Sequence, residues 1–411
     1  MRTYRSPTNR PPQVVIVLRA IPHYRVPFLD LLRADLAARG IRLSVVYGQV
    51  GPERATKQDT VVLPWGIKIE NRVFAAGQCA LYWQPCLEFV RDTDLVIVTQ
   101  EAKLMANYVL HWRRARGRIR MAYWGHGGTY QRGTLTFLVQ PVKAWLARQV
   151  DWWFAYTSRS ADSLAEMGVL TSRVTVVNNA IDTDSLVKSR VSMTSEQLYR
   201  ERLRLGVHGQ RVAAFVGGMY REKRLDFIVK ACEVARAQKP DLEVLFIGDG
   251  PESWKVKEAA ATRPWVHYLG AQFGAEKVAA LALAKVLLMP GAVGLAVLDS
   301  FALEIPILTT GAPSHGPEID YLQNDGNGVI LPESSTAEQY GVQLAALISD
   351  DDRLGALREG CRVAAGKYTI EDMASRFAAG VVQALQWTSP GGGGPWSTEA
   401  GTGSPMSVSD S

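Results

Sequence analysis

Residues 286–310 read VLLMPGAVGLAVLDSFALEIPILTT, and the reading of the fold starts there. A short apolar run, 286–289, suits a buried strand. Pro290-Gly291 and a second glycine, Gly294, break it. An apolar helical run at 295–303 follows, closed by Ile305-Pro306, and a second buried strand occupies 307–309. A strand, a glycine turn, a helix and a strand bring free backbone N–H groups and the positive end of a helix to one point, which is a seat for a phosphate. Asp299 is the only charge between Lys285 and Glu304. It lies about one and a half turns into the helix, at ~3.6 residues per turn. Its carboxylate either accepts hydrogen bonds from ribose hydroxyls beside that turn or lies on a solvated helix face.

The same grammar recurs upstream. A strand at 211–216 ends in Gly217-Gly218, and Glu222-Lys223-Arg224 leads into a helix at 225–237. A strand at 242–247 ends in Gly248-Asp249-Gly250-Pro251, and another at 265–269 ends at Gly270. Residues 187–205 are polar and helical and predict a link between two domains. Before them lies a second α/β unit. A strand at 14–18, a helix at 28–39 and a strand at 41–47 make a β-α-β unit, hence a parallel sheet. The loop after the first strand carries His23, Tyr24 and Arg25 at the carboxyl edge, where open sheets bind ligands. These three either contact an acceptor or form a solvated loop.

Strands at 94–99 and 120–124 follow. The second runs into Gly125-His126-Gly127-Gly128, where flanking glycines permit close backbone approach. His126 is either structural or placed for hydrogen bonding. Residues 134–148 read as an amphipathic helix packed on the sheet, with an interfacial membrane helix as the alternative. A strand at 151–157, a helix at 158–167 and a strand at 174–177 run into Asn178-Asn179-Ala180-Ile181-Asp182. A last helix spans 373–387, and the Gly/Ser/Pro-rich residues 389–411 predict a disordered tail.

The chain has 411 residues, 47% hydrophobic and 21% charged, as expected of a globular protein of two or three domains. No apolar run reaches the ~18–20 residues of a membrane helix. The apolar stretch at 14–18 is too short for a secretion signal. Cys79, Cys86, Cys232 and Cys361 have no metal-ligand spacing and read as reduced cytosolic thiols. Charge is uneven: residues 1–190 hold 26 Lys/Arg against 14 Asp/Glu, a net of +12, and residues 191–411 hold 20 against 26, a net of −6. A basic front half points to an anionic partner such as a membrane surface, a phosphorylated substrate or nucleic acid. No zinc-finger spacing or RNP pattern accompanies it, so nucleic acid is not expected.

Residues 215–252, FVGGMYREKRLDFIVKACEVARAQKPDLEVLFIGDGPE, resemble the donor half of retaining glycosyltransferase family 4. That half has a strand, Gly-Arg, Glu-Lys-Gly, a helix and a Gly-x-Gly-Pro turn. The resemblance spans residues 13–388. It implies the α/β GT-B fold: two Rossmann-like domains with parallel sheets facing across a cleft, and a C-terminal helix crossing back. The implied domains are an acceptor domain at 13–190, a nucleotide-sugar domain at 191–372 and the crossing helix at 373–388. Residues 178–182 match the family's Asn-Gly-Ile-Asp turn, and His126 matches its glycine-flanked His. The resemblance implies that Lys223 binds the donor diphosphate and that Asp299 holds the ribose in place of a Glu. Gly218 stands where the family has Arg, so Arg224 or Arg221 compensates. Gly291 stands at the Glu that contacts the donor sugar, leaving room for a different or larger sugar. Gly294 and Leu295 match the amide phosphate site, with Gly217, Gly248 and Gly250 completing the donor set. The catalytic trio is His126, Lys223 and Asp299, and the acceptor loop is His23, Tyr24 and Arg25.

The implied reaction moves a sugar from a nucleotide-diphosphate sugar to a hydroxyl of a glycan or lipid-linked acceptor, with no cofactor and no metal. The Asp-x-Asp triplets at 92–94 and 182–184 precede a strand interior and belong to the interdomain turn, so neither is read as a metal site. The expected location is cytoplasmic, with peripheral contact at an anionic membrane. The alternatives are a sugar-nucleotide-binding protein without catalysis and a nucleotide-sugar epimerase on the same fold.

Overall fold

Runs of Val, Ile and Leu buried on both faces make the principal strands, as parallel sheets covered on two sides require. The computed structural model describes residues 10–49, 61–76, 79–127 and 136–387. Gly128 and the tail expected at 389–411 lie outside them.

In the first lobe β1 (Gln13–Leu18) passes through a 3-10 turn, His23–Arg25, into α1 (Val26–Ala38) and β2 (Arg42–Tyr47). Then come β3 (Ile67–Lys68), a hairpin of β4 (Arg72–Ala76) and β5 (Cys79–Trp83), β6 (Leu95–Thr99) and α2 (Met105–Ala115). The lobe continues with β7 (Met121–Gly125), α3 (Thr136–Arg148), β8 (Trp152–Ala155), α4 (Ser158–Glu166) and β9 (Val174–Val176). The parallel sheet has the order β3-β2-β1-β6-β7-β8-β9. The strand order reverses at β1, and right-handed crossovers therefore place α1 on one face and α2 and α3 on the other. The cores agree: Phe28 and Leu32 belong to one, Leu110, Ala147 and Val150 to the other.

Two helices, α5 (Asp184–Val191) and α6 (Ser195–Leu205), stand where one was expected. Thr194 breaks the run: its hydroxyl accepts the Gln197 N–H at 3.2 Å, and the Gln197 side chain accepts the Thr194 N–H at 2.8 Å, a capping box that starts a new helix.

The second lobe comprises β10 (Arg211–Val216), α7 (Leu225–Gln238), β11 (Leu242–Ile247), α8 (Ser253–Thr262), β12 (Val266–Gly270) and α9 (Gly274–Leu281). After these come β13 (Val286–Met289), α10 (Ala296–Leu303), β14 (Ile307–Thr310), β15 (Gly328–Leu331), α11 (Ala337–Leu347) and α12 (Asp351–Lys367). Its parallel sheet runs β12-β11-β10-β13-β14-β15, so the order reverses between β10 and β13. Open sheets bind ligands beyond the carboxyl ends at such a reversal. Helices α5 and α6 pack on α9, α5 also on α10, and Arg190 pairs with Glu304 at 2.5 Å. The expected boundary at 190 therefore falls inside a helix that belongs with the second lobe.

The last helix, α13 (Ile370–Gln386), returns to the first lobe and packs on α1. Phe377 stacks on Phe154 with centroids 4.1 Å apart, and edge-on contacts join it to Phe28 and Trp124. Arg120 donates to the carbonyls of Ala384 and Leu385 at 3.1 and 2.6 Å, tying off the helix end. This is the two-lobed architecture with a crossing helix that the sequence led us to expect. Among the described residues no helix is long and apolar enough to cross a membrane.

Candidate active site

The turn between β13 and α10 is held from three sides. The Glu222 carbonyl accepts the Ala292 N–H at 3.0 Å. The Lys223 ammonium donates to the Ala292 carbonyl and, at 3.4 Å, to that of Val293. Arg224 donates to the Pro290 carbonyl at 3.3 Å while its guanidinium lies 4.1 Å from the Phe227 ring centroid. Lys223 and Arg224 thus sit at the expected turn, bonded to three of its carbonyls. Gly291 has a plain packing reason: a Cβ there would overlap the Glu222 carbonyl oxygen and stand 3.2 Å from the Lys223 carbonyl carbon. The space expected for a larger sugar is filled by backbone.

Gly294 has φ +59°, and nothing stands within 4 Å of the position a Cβ would take. Among the described residues the N–H groups of Gly294, Leu295 and Ala296 have no acceptor. Three amides at the start of α10 are therefore left without a partner among the described residues, as the first turn of a helix leaves them.

His315 went unread in the sequence. Its Nε2 lies 2.6 Å from the Thr310 carbonyl, which can only accept, so Nε2 carries the proton. Nδ1 is then free to accept the Val293 N–H at 3.2 Å. Burial pushes the imidazole pKa down, and Lys223 and Arg159 push the same way against the Thr310 bond. A neutral histidine thus fixes the last amide before Gly294. The Gly-Ala-Pro-Ser-His-Gly run at 311–316, just beyond a strand's carboxyl end, was the signal that could have found it.

Asp299 is buried in α10 and pairs with Lys277 of α9 at 2.7 Å through Oδ2. It is not on a solvated face. Its Oδ1 is buried without a partner among the described residues. The other glycine turns brace each other. Gly217 donates to Ile247 and Met219 to Asp249, both at 2.9 Å. A Cβ on Gly248 would overlap the Gly217 carbonyl, and one on Gly250 would lie 2.6 Å from that of Met219. Their φ values, +138° and +156°, also favour glycine. At Gly218 the Tyr220 ring fills the space a side chain would need.

In the first lobe His126 stands exposed at the end of β7, its ring edge-on to Tyr156 at 4.7 Å. Protein crowded on its inner side lowers its pKa. Glu318 and Glu101 oppose that shift, and Arg25 reinforces it. Arg25 corrects the picture of a solvated acceptor loop. It is 6% exposed, with its guanidinium 4.9 Å from the Trp124 ring and 5.6 Å from Tyr156. Its Nη1 lies 3.9 Å from the Met373 sulfur. His23 is exposed and Tyr24 half-buried.

The lobes meet at the 3-10 turn Pro317–Tyr321, which the sequence also left unread. Asn179 donates to Glu318 at 2.7 Å, Thr157 to Asp320 at 2.6 Å and the Tyr321 hydroxyl to the Asn179 carbonyl at 3.1 Å. This docking brings Glu318 of the second lobe beside His126 of the first. The Asp-x-Asp triplets do other work: Asp94 accepts the Gln13 N–H at 2.8 Å, and Asp182 accepts that of Asp184 at 3.1 Å.

The second lobe matches the family described as "Glycosyl transferases group 1" over residues 210–350. The first matches "Glycosyltransferase Family 4" over 28–185. The chain is a family 4-like glycosyltransferase of the GT-B fold. No curated protein sequence matches it. Among solved structures, this glycosyltransferase resembles Anabaena HepE in complex with UDP-glucose, at 15% identity over 90% of this chain and 99% of that one, with a TM-score of 0.65. A glycosyltransferase from Rickettsia africae aligns over 93% and 100% at 12% identity and a TM-score of 0.65. WaaG, a glycosyltransferase involved in lipopolysaccharide biosynthesis, aligns over 89% and 98% at 16% identity and a TM-score of 0.59. At these identities the likeness is one of fold.

Proposed function

We propose that this glycosyltransferase moves a sugar, with retention of anomeric configuration and without a metal or cofactor, from a nucleoside diphosphate sugar to a hydroxyl of a glycan or lipid-linked acceptor. The observation that carries this is the trio of unpaired amides at Gly294, Leu295 and Ala296, backed by Lys223 and Arg224. As the anomeric bond lengthens, charge grows on the leaving diphosphate. The amides meet it with hydrogen bonds that need no reorganisation, and the two cations behind them deepen the local positive potential. HepE has been crystallised with UDP, with UDP and glucose, and with UDP-glucose, which supports a diphosphate donor of this kind.

Asp299 is the acid that accepts a ribose hydroxyl, with Lys277 holding its carboxylate through Oδ2. His126, kept neutral near pH 7, hydrogen-bonds the donor sugar from the first lobe. The retention is carried by a same-face displacement assisted by the leaving phosphate. His23 and Tyr24 border the acceptor side.

A panel of nucleotide sugars screened by thermal shift identifies the donor: at ~100 times its dissociation constant the right one stabilises by ~2.7 kcal/mol. Slow release of nucleoside diphosphate follows, and Lys223→Ala lowers that rate by ~10²–10³. Binding with no turnover under any acceptor refutes transfer and leaves a binding protein.

A further inference from the structure

Two arginines are buried among the described residues, Arg19 and Arg25. Arg19 meets a carboxylate, that of Glu101, at 3.6 Å. Arg25 meets none among the described residues. Its guanidinium carbon lies 5.3 Å from the Tyr24 ring centroid, 4.9 Å from that of Trp124 and 5.6 Å from that of Tyr156. Its one hydrogen-bond partner among the described residues is the Met373 sulfur, a weak acceptor at 3.9 Å. The rings attract the charge. They offer no lone pairs, and a guanidinium has five N–H donors to satisfy. The indole N–H of Trp124, in the same box, is also buried without a partner. A buried charge whose donors find no oxygen is a cost that packing does not return. Folds keep such a cost at functional sites, where a ligand completes the pairing.

Arg25 follows β1 at the carboxyl edge of the first sheet, where open sheets receive ligands. Its charge acts on His126, and so does that of Glu318 from the second lobe. It acts as well on Tyr321 of the interlobe turn. Arg25 therefore stands where the two lobes meet. Across from it the cations of the second lobe are already bonded to backbone, Lys223 to the carbonyls of Ala292 and Val293 and Arg224 to that of Pro290. At Gly218, where the family has an arginine, the Tyr220 ring fills the space.

We infer that Arg25 is a substrate-binding residue whose partner is a phosphate group in the crevice. A planar guanidinium meets two phosphate oxygens at once. The group is carried by the donor's diphosphate, for which Gly218 leaves the second lobe one arginine short, or by a phosphorylated acceptor; the contact is the same. The inference rests on the reading of the crevice as a nucleoside diphosphate sugar site, and inorganic phosphate gives it a readout of its own. An arginine kept only to pin α13 through Met373 would contribute stability instead.

The test is titration calorimetry and melting of the full chain with inorganic phosphate and with UDP, GDP and ADP, the tightest of the three being carried forward. Arg25→Met keeps the apolar contacts of the ring box and lowers affinity for the phosphate-bearing ligand by about 10–100-fold. Arg25→Lys keeps the charge and loses the fork, so it falls between, and it carries the same comparison if methionine is not tolerated. Without ligand, Arg25→Met melts at or above the parent, because a desolvated charge has gone. Arg33→Met removes an exposed arginine stacked 4.6 Å from the Trp65 ring centroid and changes neither reading. Phosphate that competes with the nucleoside diphosphate assigns the Arg25 contact to the donor. Phosphate that binds through Arg25 on top of saturating diphosphate assigns it to a phosphorylated acceptor. A parent that binds phosphate through Arg25 but no nucleoside diphosphate refutes the donor reading and leaves the inference standing. Unchanged affinity for both ligands in Arg25→Met and Arg25→Lys, or a parent that binds neither, overturns it.

Discussion

Replacing Gly291 with alanine tests whether the donor site is built by backbone packing at that position. The added methyl would overlap the Glu222 carbonyl oxygen and lie 3.0 Å from its carbonyl carbon and 3.2 Å from that of Lys223. None of these atoms is the end of a flexible side chain, so the β13–α10 turn must move away from the 220s loop. Overpacking of this kind costs about 1–3 kcal/mol. Loss of the hydrogen bond from Ala292 to Glu222 adds about 1 kcal/mol. In a lobe of this size each kcal/mol lowers the melting temperature by about 2–4 °C, so a fall of about 5–15 °C is expected by calorimetry. Displacing the turn also removes the Lys223 ammonium from the Ala292 and Val293 carbonyls, so nucleoside diphosphate affinity falls with stability. Gly291→Glu, which installs the acid that the family carries, does worse and restores nothing. If Gly291→Ala melts within about 1 °C of the parent and discriminates only against large donor sugars, position 291 is sugar-facing space and the packing argument is wrong.

Lys277→Met strands the buried Asp299 carboxylate and costs about 3–5 kcal/mol, much of it recovered when Asp299→Ala is added; additive losses in that double-mutant cycle would deny the coupling. Glu318→Gln keeps the shape of the contact with Asn179 and removes the negative charge that props up the His126 pKa, so the histidine titration followed by NMR moves further down. An unmoved titration would show that the lobes do not bring the two groups together. Burial lowers the His111 pKa from the ordinary 6.5 to about 4, and the unfolded chain therefore binds a proton that the folded one refuses. Stability is full above about pH 6.5 and declines as pH falls towards 4, a slope that melting curves of His111→Gln should show flattened.

The opening stretch was legible because its information is local. Four apolar residues, two glycines and a helical run of six apolar residues around Asp299 and Ser300 declare strand, turn and helix within 25 residues, and β13, α10 and β14 appear within a residue of where they were read. The environment of Gly291 was not legible, because the carbonyl that excludes its side chain lies 69 positions earlier. Arg25 looked like loop solvent exposure for the same reason: its ring box comes from the ends of β7 and β8. The segment 311–327 has no hydrophobic period at all, and it holds both His315 and the Glu318 clasp. In α3 the amphipathic pattern was visible and plain packing was preferred, yet Val142 and Trp145 stay more than half exposed. A helical pattern shows that one face is apolar, and only the fold shows whether that face is covered.

The return of α13 to the first lobe has a consequence for biosynthesis. Phe28, Trp124 and Phe154 are translated early, but their closing partner Phe377 emerges near the end of the chain. At about 5–20 residues per second, the stretch from residue 190 to residue 386 takes about 10–40 s to make. Throughout that interval the nascent first lobe presents an open aromatic seam to the ribosome surface and to any chaperone waiting there. Vectorial synthesis therefore cannot finish this lobe first, and the two halves must mature together.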